Sequence, residues 1–210
     1  MQNKVNNNSV LKEYTRLAKS YDSRWRDYLE KTQKTAVNCL SAKNNDLVLD
    51  IGCGTGGAAI RIAKKLTQGK IVGIDTCQAM LDLAKKKSKN FKNITYKNAS
   101  AEKIPFPTKY FDKIISVSAF HHFQNPNTAV KEMCRVIKPK GIIVILDWCR
   151  DYFLFKILNL WWRLTNKAHV KAYDTKEISK ILEKEGVKII EKQKFKIKFF
   201  WRLMMLKGEK

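Results

Sequence analysis

Between Val10 and Leu40 the apolar positions Leu11, Tyr14, Leu17, Ala18, Tyr21, Trp25, Tyr28 and Leu29 recur at spacings of three and four, with charged residues between them. That is the period of amphipathic helices, and it predicts a helical cap at the N-terminus. Beyond Leu40 the pattern changes to short apolar runs: Leu47 to Ile51, Lys70 to Ile74, Ile94 to Lys97, Lys113 to Val117 and Ile142 to Leu146. Helical stretches near Ala58 to Leu66, Gln78 to Lys87 and Thr128 to Ile137 separate them. Strands that are apolar throughout and alternate with helices predict an α/β fold: a doubly wound, mostly parallel sheet covered on both faces.

After Asp147 the rhythm breaks. Asp151 to Leu164 places Lys156, Asn159 and Arg163 on one narrow stripe and apolar residues around the rest, including Trp161 and Trp162. Such a helix is a buried element, a lid over a ligand, or a segment laid on a membrane surface. Asp174 followed three residues later by Glu177 predicts a capped helix to about Glu185, stopped by Gly186. Val187 to Ile190 and Lys196 to Leu206 read as two closing strands. With no internal repeat and no linker, the chain is expected to be one domain. It divides into a cap over residues 1–44, a core over 45–149, and a lid with closing strands over 150–210.

Length agrees with one domain, since 210 residues with 44% hydrophobic positions are ample for a single core and too few for a multi-domain assembly. The formal charge of +23 changes the picture more, because it suits an anionic partner such as nucleic acid or anionic lipid. Only 8 of the 42 basic residues are arginine, and lysine spread over every helix face is equally the mark of compositional bias. Five cysteines without a C-x-x-C pair indicate neither a disulfide framework nor a metal site. The absence of a leader-like start and of a bilayer-length apolar run leads us to expect a cytoplasmic protein.

The segment Leu47-Val48-Leu49-Asp50-Ile51-Gly52-Cys53-Gly54-Thr55-Gly56-Gly57 carries the most chemistry. A strand runs into a glycine-rich turn and then a helix, which lets a nucleotide approach the backbone. Gly52, Gly54 and Gly57 also satisfy the dinucleotide pattern, so the glycines alone do not choose the ligand. Asp50 does choose: a carboxylate near the turn repels a pyrophosphate and attracts an ammonium. A nucleoside with an amino-acid tail, S-adenosylmethionine, fits better than NAD. Asp75 ends the second strand 23 residues past Gly52, where it can accept both ribose hydroxyls.

These residues resemble the class I S-adenosylmethionine-dependent methyltransferases, and within them the type 11 group that includes ubiquinone and menaquinone C-methyltransferases. The likeness runs from about Asp46 to Asp147. Asp50 to Gly56 is similar to the first motif of that family and Gly73-Ile74-Asp75 to its second. Ala101-Glu102-Lys103-Ile104-Pro105-Phe106-Pro107, with Phe111-Asp112, resembles its adenine-contacting segment. Ser116 to His122 resembles the end of its fourth strand, and Arg135 to Gly141 the turn before its fifth.

The resemblance implies a seven-stranded sheet with an antiparallel last strand and S-adenosylmethionine bound by Asp50, Gly52, Cys53, Gly54, Gly56, Asp75, Thr76, Met80, Ser100, Ala101, Glu102 and Ser116, covered by Tyr21. Ser100 stands where the family commonly has an acidic residue, and Met80 either packs on the adenine or belongs to the core. Tyr14, Asp147, Trp161 and Trp162 are expected on the acceptor side. Asp147 would otherwise cap the next helix, and the tyrosines would otherwise be core. His121 and His122 are the candidate general bases, against a purely structural role at a strand end. No metal is expected. The Phe-, Leu- and Trp-rich stretch after Asp147 favours a small lipophilic acceptor, with contact to anionic membrane. The rival is a nucleic-acid methyltransferase or binder using the lysines.

Overall fold

The computed structural model describes residues 7–151, 172–198 and 201–210. The N-terminal period forms two helices, α1 (Asn7–Arg24) and α2 (Arg26–Leu40), which meet at Trp25. Then follow β1 (Leu47–Ile51), α3 (Gly57–Ala63), β2 (Lys70–Asp75), α4 (Gln78–Lys87), β3 (Ile94–Asn98) and β4 (Phe111–Val117). A 3₁₀ turn over Phe120–His122 leads to α5 (Pro126–Val136) and β5 (Ile137–Trp148). The chain closes with α6 (Thr175–Lys184), β6 (Lys188–Ile197) and β7 (Trp201–Glu209).

All seven strands form one sheet in the order β3-β2-β1-β4-β5-β7-β6. The first five are parallel, and β7 runs antiparallel to both β5 and β6. Alternate residues of each strand enter different cores, as the two-residue period of a strand requires. Leu49, Ile114, Ile143 and Ile145 pack with Val130 and Met133 of α5 and with Ile178 and Leu182 of α6. Val48, Ile115, Val144 and Leu146 pack on the other face with Val37 and Leu40 of α2 and Ile62 of α3. Strand order reverses between β1 and β4, and a crevice opens beyond the carboxyl ends of strands at such a switch point.

Several bounds differ from the sequence expectation. β5 begins at Ile137, because Ile137 already pairs with Phe111 and the ladder resumes at Lys113 and Ile142 past an irregularity. β6 extends through the lysine-rich run to Ile197, so Lys196 and Ile197 belong to β6 and not to the last strand. The expected lid helix, with Trp161 and Trp162, lies outside the described residues.

The capping box at α6 is complete. Asp174 Oδ1 accepts from the Glu177 N–H at 2.8 Å and Glu177 Oε2 from the Asp174 N–H at 2.9 Å. Asp174→Ala is expected to cost about 1 kcal/mol, a fall of about 2–4 °C in melting temperature for a domain of this size. A thermal melt checks this.

Candidate functional site

A cavity of about 330 Å³ lies at the carboxyl ends of β1, β2 and β4. Its floor is the turn after β1, held by the Gly52 and Cys53 N–H groups donating to Ile74 O at 2.8 and 3.0 Å. Gly52 has φ +69°, and a Cβ there would overlap the Cβ of Ala119. At Gly54, φ +52°, an added Cβ meets no protein atom within 4 Å, so the missing side chain is space on the ligand side. Asp75 braces the turn: its Oδ2 accepts from the Gly54 N–H at 2.9 Å and its Oδ1 from the Cys77 N–H at 2.8 Å. Each oxygen keeps a second lone pair. Thr76, Met80, Ser100, Ala101 and Glu102 form the far wall.

Helix α1 closes the cavity from above with Leu11, Tyr14 and Tyr21. It is tied to the glycine turn through Asp22, which accepts from Thr55 Oγ1 at 2.6 Å and from Lys87 Nζ at 2.5 Å. Tyr14 Oη is hydrogen-bonded to His122 Nε2 at 2.7 Å. Burial and the neighbouring Tyr21 push the Tyr14 hydroxyl well above its ordinary pKa, and burial beside Asp75 pushes Tyr21 to about 12. Both phenols are therefore neutral over the physiological range.

A second cavity of about 390 Å³ adjoins the first, and the two share Tyr14, Tyr21, Ser118 and His122 on their walls. Its lining is aromatic: Trp25, Tyr28, Trp148 and Trp201. His121, Trp148 and Trp201 form a stepped stack, with His121 and Trp148 centroids 4.3 Å apart at 13° and Trp148 and Trp201 5.7 Å apart at 29°. Beneath the wall, Asp147 Oδ1 accepts from His121 Nδ1 at 2.7 Å, and its Oδ2 from the His121 N–H at 3.1 Å. Both side chains are buried. Proton donation from Nδ1 to the carboxylate leaves Nε2 as the basic nitrogen of the neutral ring.

The structure brings together Gly52, Cys53, Gly54, Asp75, Thr76, Met80, Ser100, Ala101, Glu102, Tyr14, Tyr21 and His122 around the first cavity. His121 lines only the second. Asp50, Gly56 and Ser116 stand behind the first wall: Gly56 caps α3, and Ser116 Oγ donates to Ile51 O at 3.1 Å. Asp147 lies in β5, engaged with His121 and with the Trp148 N–H, and caps no helix among the described residues. Trp161 and Trp162 lie outside the described residues.

Sequence reasoning missed Trp25, Tyr28, Trp148 and Trp201 as cavity residues, which three separate segments contribute. It also missed Ser118 as a wall residue, whose φ of +54° is an unusual conformation for a serine. Its Oγ bonds Tyr28 Oη at 2.7 Å, and Trp148 Nε1 donates to the same oxygen at 2.9 Å.

Asp50 is 1% exposed and accepts from the Ala59 N–H, yet its Oδ2 has no partner among the described residues. Burial first, and then the charge of Asp75, push its carboxyl up to about 7. Because the folded value lies above the unfolded one, the associated stability is fully present below about pH 4 and is lost as pH rises through about 7. Thermal melts of ligand-free protein from pH 5 to 8 are therefore expected to show Asp50→Asn gaining on the wild type as pH rises. Parallel curves would refute this.

The donor set fits a nucleoside that carries an amino-acid tail. Asp75 offers two acceptors to vicinal hydroxyls, Met80 and Ala101 offer apolar surface to a base, and the Gly54 space admits a tail. Asp50 is not part of this lining: its orphaned oxygen is buried behind the wall.

Residues 49–145 match the family described as "Methyltransferase domain". A ubiquinone/menaquinone biosynthesis C-methyltransferase of Francisella philomiragia is 30% identical, over 74% of this chain and 68% of that protein. A malonyl-[acyl-carrier protein] O-methyltransferase of a Marinomonas species is 30% identical, over 78% of this chain and 60% of that protein. Among solved structures, a SAM-dependent methyltransferase from Aquifex aeolicus superposes with a TM-score of 0.72 at 23% identity, covering 93% of this chain and 97% of its own. The chain spans about half the length of several curated relatives it matches.

Proposed function

Because the chain belongs to the class I S-adenosylmethionine-dependent methyltransferases, with S-adenosylmethionine as its cofactor, we propose that it methylates a small, apolar or amphipathic acceptor held in the second cavity. One observation carries this reading: the aromatic cavity meets the glycine-turn cavity at Tyr14, Tyr21, Ser118 and His122, and His121 on its wall is backed by the buried carboxylate of Asp147.

When bound, S-adenosylmethionine supplies an electrophilic methyl group on a sulfonium. Asp75 would hold the ribose, Gly52 to Gly54 the amino-acid tail, and Met80, Ala101 and Ser100 the adenine. The protein's own part is positioning and exclusion of water, which suffices for much of the rate when the acceptor is aligned. Tyr14 and Tyr21, neutral and packed 5.9 Å apart, close the space between the two cavities. Trp148 and Trp201 hold the apolar body of the acceptor. His121 Nε2 takes the proton that a hydroxyl or activated ring carbon must lose, and Asp147 fixes the tautomer and stabilises the imidazolium. His122, bonded to Tyr14, orients the cover.

Two groups of relatives point the same way in chemistry and differ in the atom methylated, one being named for C-methylation and the other for O-methylation. A positioned base serves either. The test is transfer of labelled methyl from S-adenosylmethionine into a host-cell extract, followed by partition into organic, aqueous, RNA and protein fractions. Label in the organic or small aqueous fraction is the expected result. Label confined to ribonuclease-sensitive material would replace this reading with one in which the lysine excess binds nucleic acid. No helix among the described residues is long and apolar enough to cross a membrane.

A further inference from the structure

The reading of the second cavity as the acceptor site leaves its charge unexplained, and the present inference rests on that reading. Apart from the two histidines and the tyrosines, the acidic and basic side chains on its wall are Glu13, Arg16 and Arg24, all from α1. They present a net positive rim to a cavity whose interior is aromatic. Among the described residues neither arginine forms an ion pair or a hydrogen bond, and the Arg24 guanidinium lies 5.6 Å from the Trp25 ring centroid, on the cavity's own wall. By contrast, Arg61, Arg135 and Arg150 are each engaged with glutamate carboxylates. Arginines left without anions beside an aromatic slot have the chemistry that recognises a carboxylate or phosphate attached to a planar apolar body.

We propose that the acceptor carries an acidic group, read by Arg16 and Arg24 at the mouth, while its planar part lies along Trp148 and Trp201. The stepped stack of His121, Trp148 and Trp201 favours a flat ring over a branched aliphatic body, because offset stacking aligns ring faces that an alkyl chain does not have. The same geometry puts His121 at the inner end of the stack. The acidic group would anchor the outer end, setting which ring position faces the first cavity. Arg16 and Arg24 are thus specificity-determining residues and take no proton.

The test is calorimetric titration of protein saturated with S-adenosylhomocysteine, using naphthoate, naphthol and naphthylmethylammonium as matched probes. Naphthoate is expected to bind about tenfold more tightly than naphthol, and the ammonium more weakly than either. In the Arg16→Gln/Arg24→Gln double variant the preference for naphthoate should vanish and naphthol affinity should stay unchanged. Both residues are exposed on α1, so the substitutions leave the core intact. Naphthoate binding no tighter than naphthol, or a preference that survives in the double variant, would overturn the acidic-group inference alone. If none of the three probes binds the protein saturated with S-adenosylhomocysteine, the acceptor reading of the cavity falls with it.

Discussion

Replacing Asp75 by alanine is expected to weaken S-adenosylmethionine binding about 100-fold or more, measured by calorimetry, with the melting curve of the ligand-free protein still cooperative. The carboxylate does two things at once. It accepts from the Gly54 and Cys77 N–H groups, which shapes the turn, and it retains one lone pair per oxygen for ribose hydroxyls. Hydrogen bonds to a charged group contribute about 1.5–3 kcal/mol each, and losing two corresponds to about two decades or more in affinity. Burial raises the pKa of Asp75, and the amides of Cys77, Gly54 and Thr76 offset part of that rise. Asp75→Asn keeps one acceptor and should fall between the wild type and the alanine variant. Unchanged affinity in both would mean that the nucleoside is held elsewhere.

The second large effect is expected at His121. His121→Asn should lower turnover by about 100- to 10,000-fold and leave S-adenosylmethionine affinity within about twofold of wild type, because His121 lines the second cavity and not the glycine-turn cavity. Asp147→Asn should lower turnover with it and shift the pH–rate profile, since an amide can no longer hold the imidazole in the tautomer that is basic at Nε2. A merely structural His121 would leave the shape of that profile unmoved and lower the melting temperature instead. Label transfer into the extract fraction that proves active supplies the assay for both variants.

The glycine turn, Asp75 and the Ser100 to Glu102 wall were legible in the sequence because each is local: a strand end, a turn and the residues beside it. β1 and α4 have the bounds that the apolar runs predict. β6 was read too short because Glu191 to Lys196 is rich in lysine, the composition that protects an edge strand from pairing with another chain and also hides its period. β5 was read too short because Lys138 to Gly141 breaks the apolar run while the backbone pairing resumes beyond it.

The second cavity is a different case. Trp25 ends one helical pattern, Trp148 ends a strand and Trp201 begins another; nothing in their spacing announces that the rings meet. His121 and Asp147 were each singled out, but their pairing depends on the parallel register that sets Val117 beside Leu146. Contacts between residues far apart in the chain follow from topology, and topology becomes usable only when strand order is known. Asp50 shows the same limit: strand alternation turns it away from the cavity wall, toward the face that holds Val48 and Ala59, and no motif states that.

The most direct test of the two-cavity site is a crystal structure of the protein with S-adenosylhomocysteine. The expected result is density in the glycine-turn cavity, with the ribose hydroxyls on Asp75, the amino-acid tail over Gly54, and the sulfur directed toward the boundary formed by Tyr14, Ser118 and His122. Density only in the aromatic cavity, or a ligand whose sulfur faces away from that boundary, would contradict it.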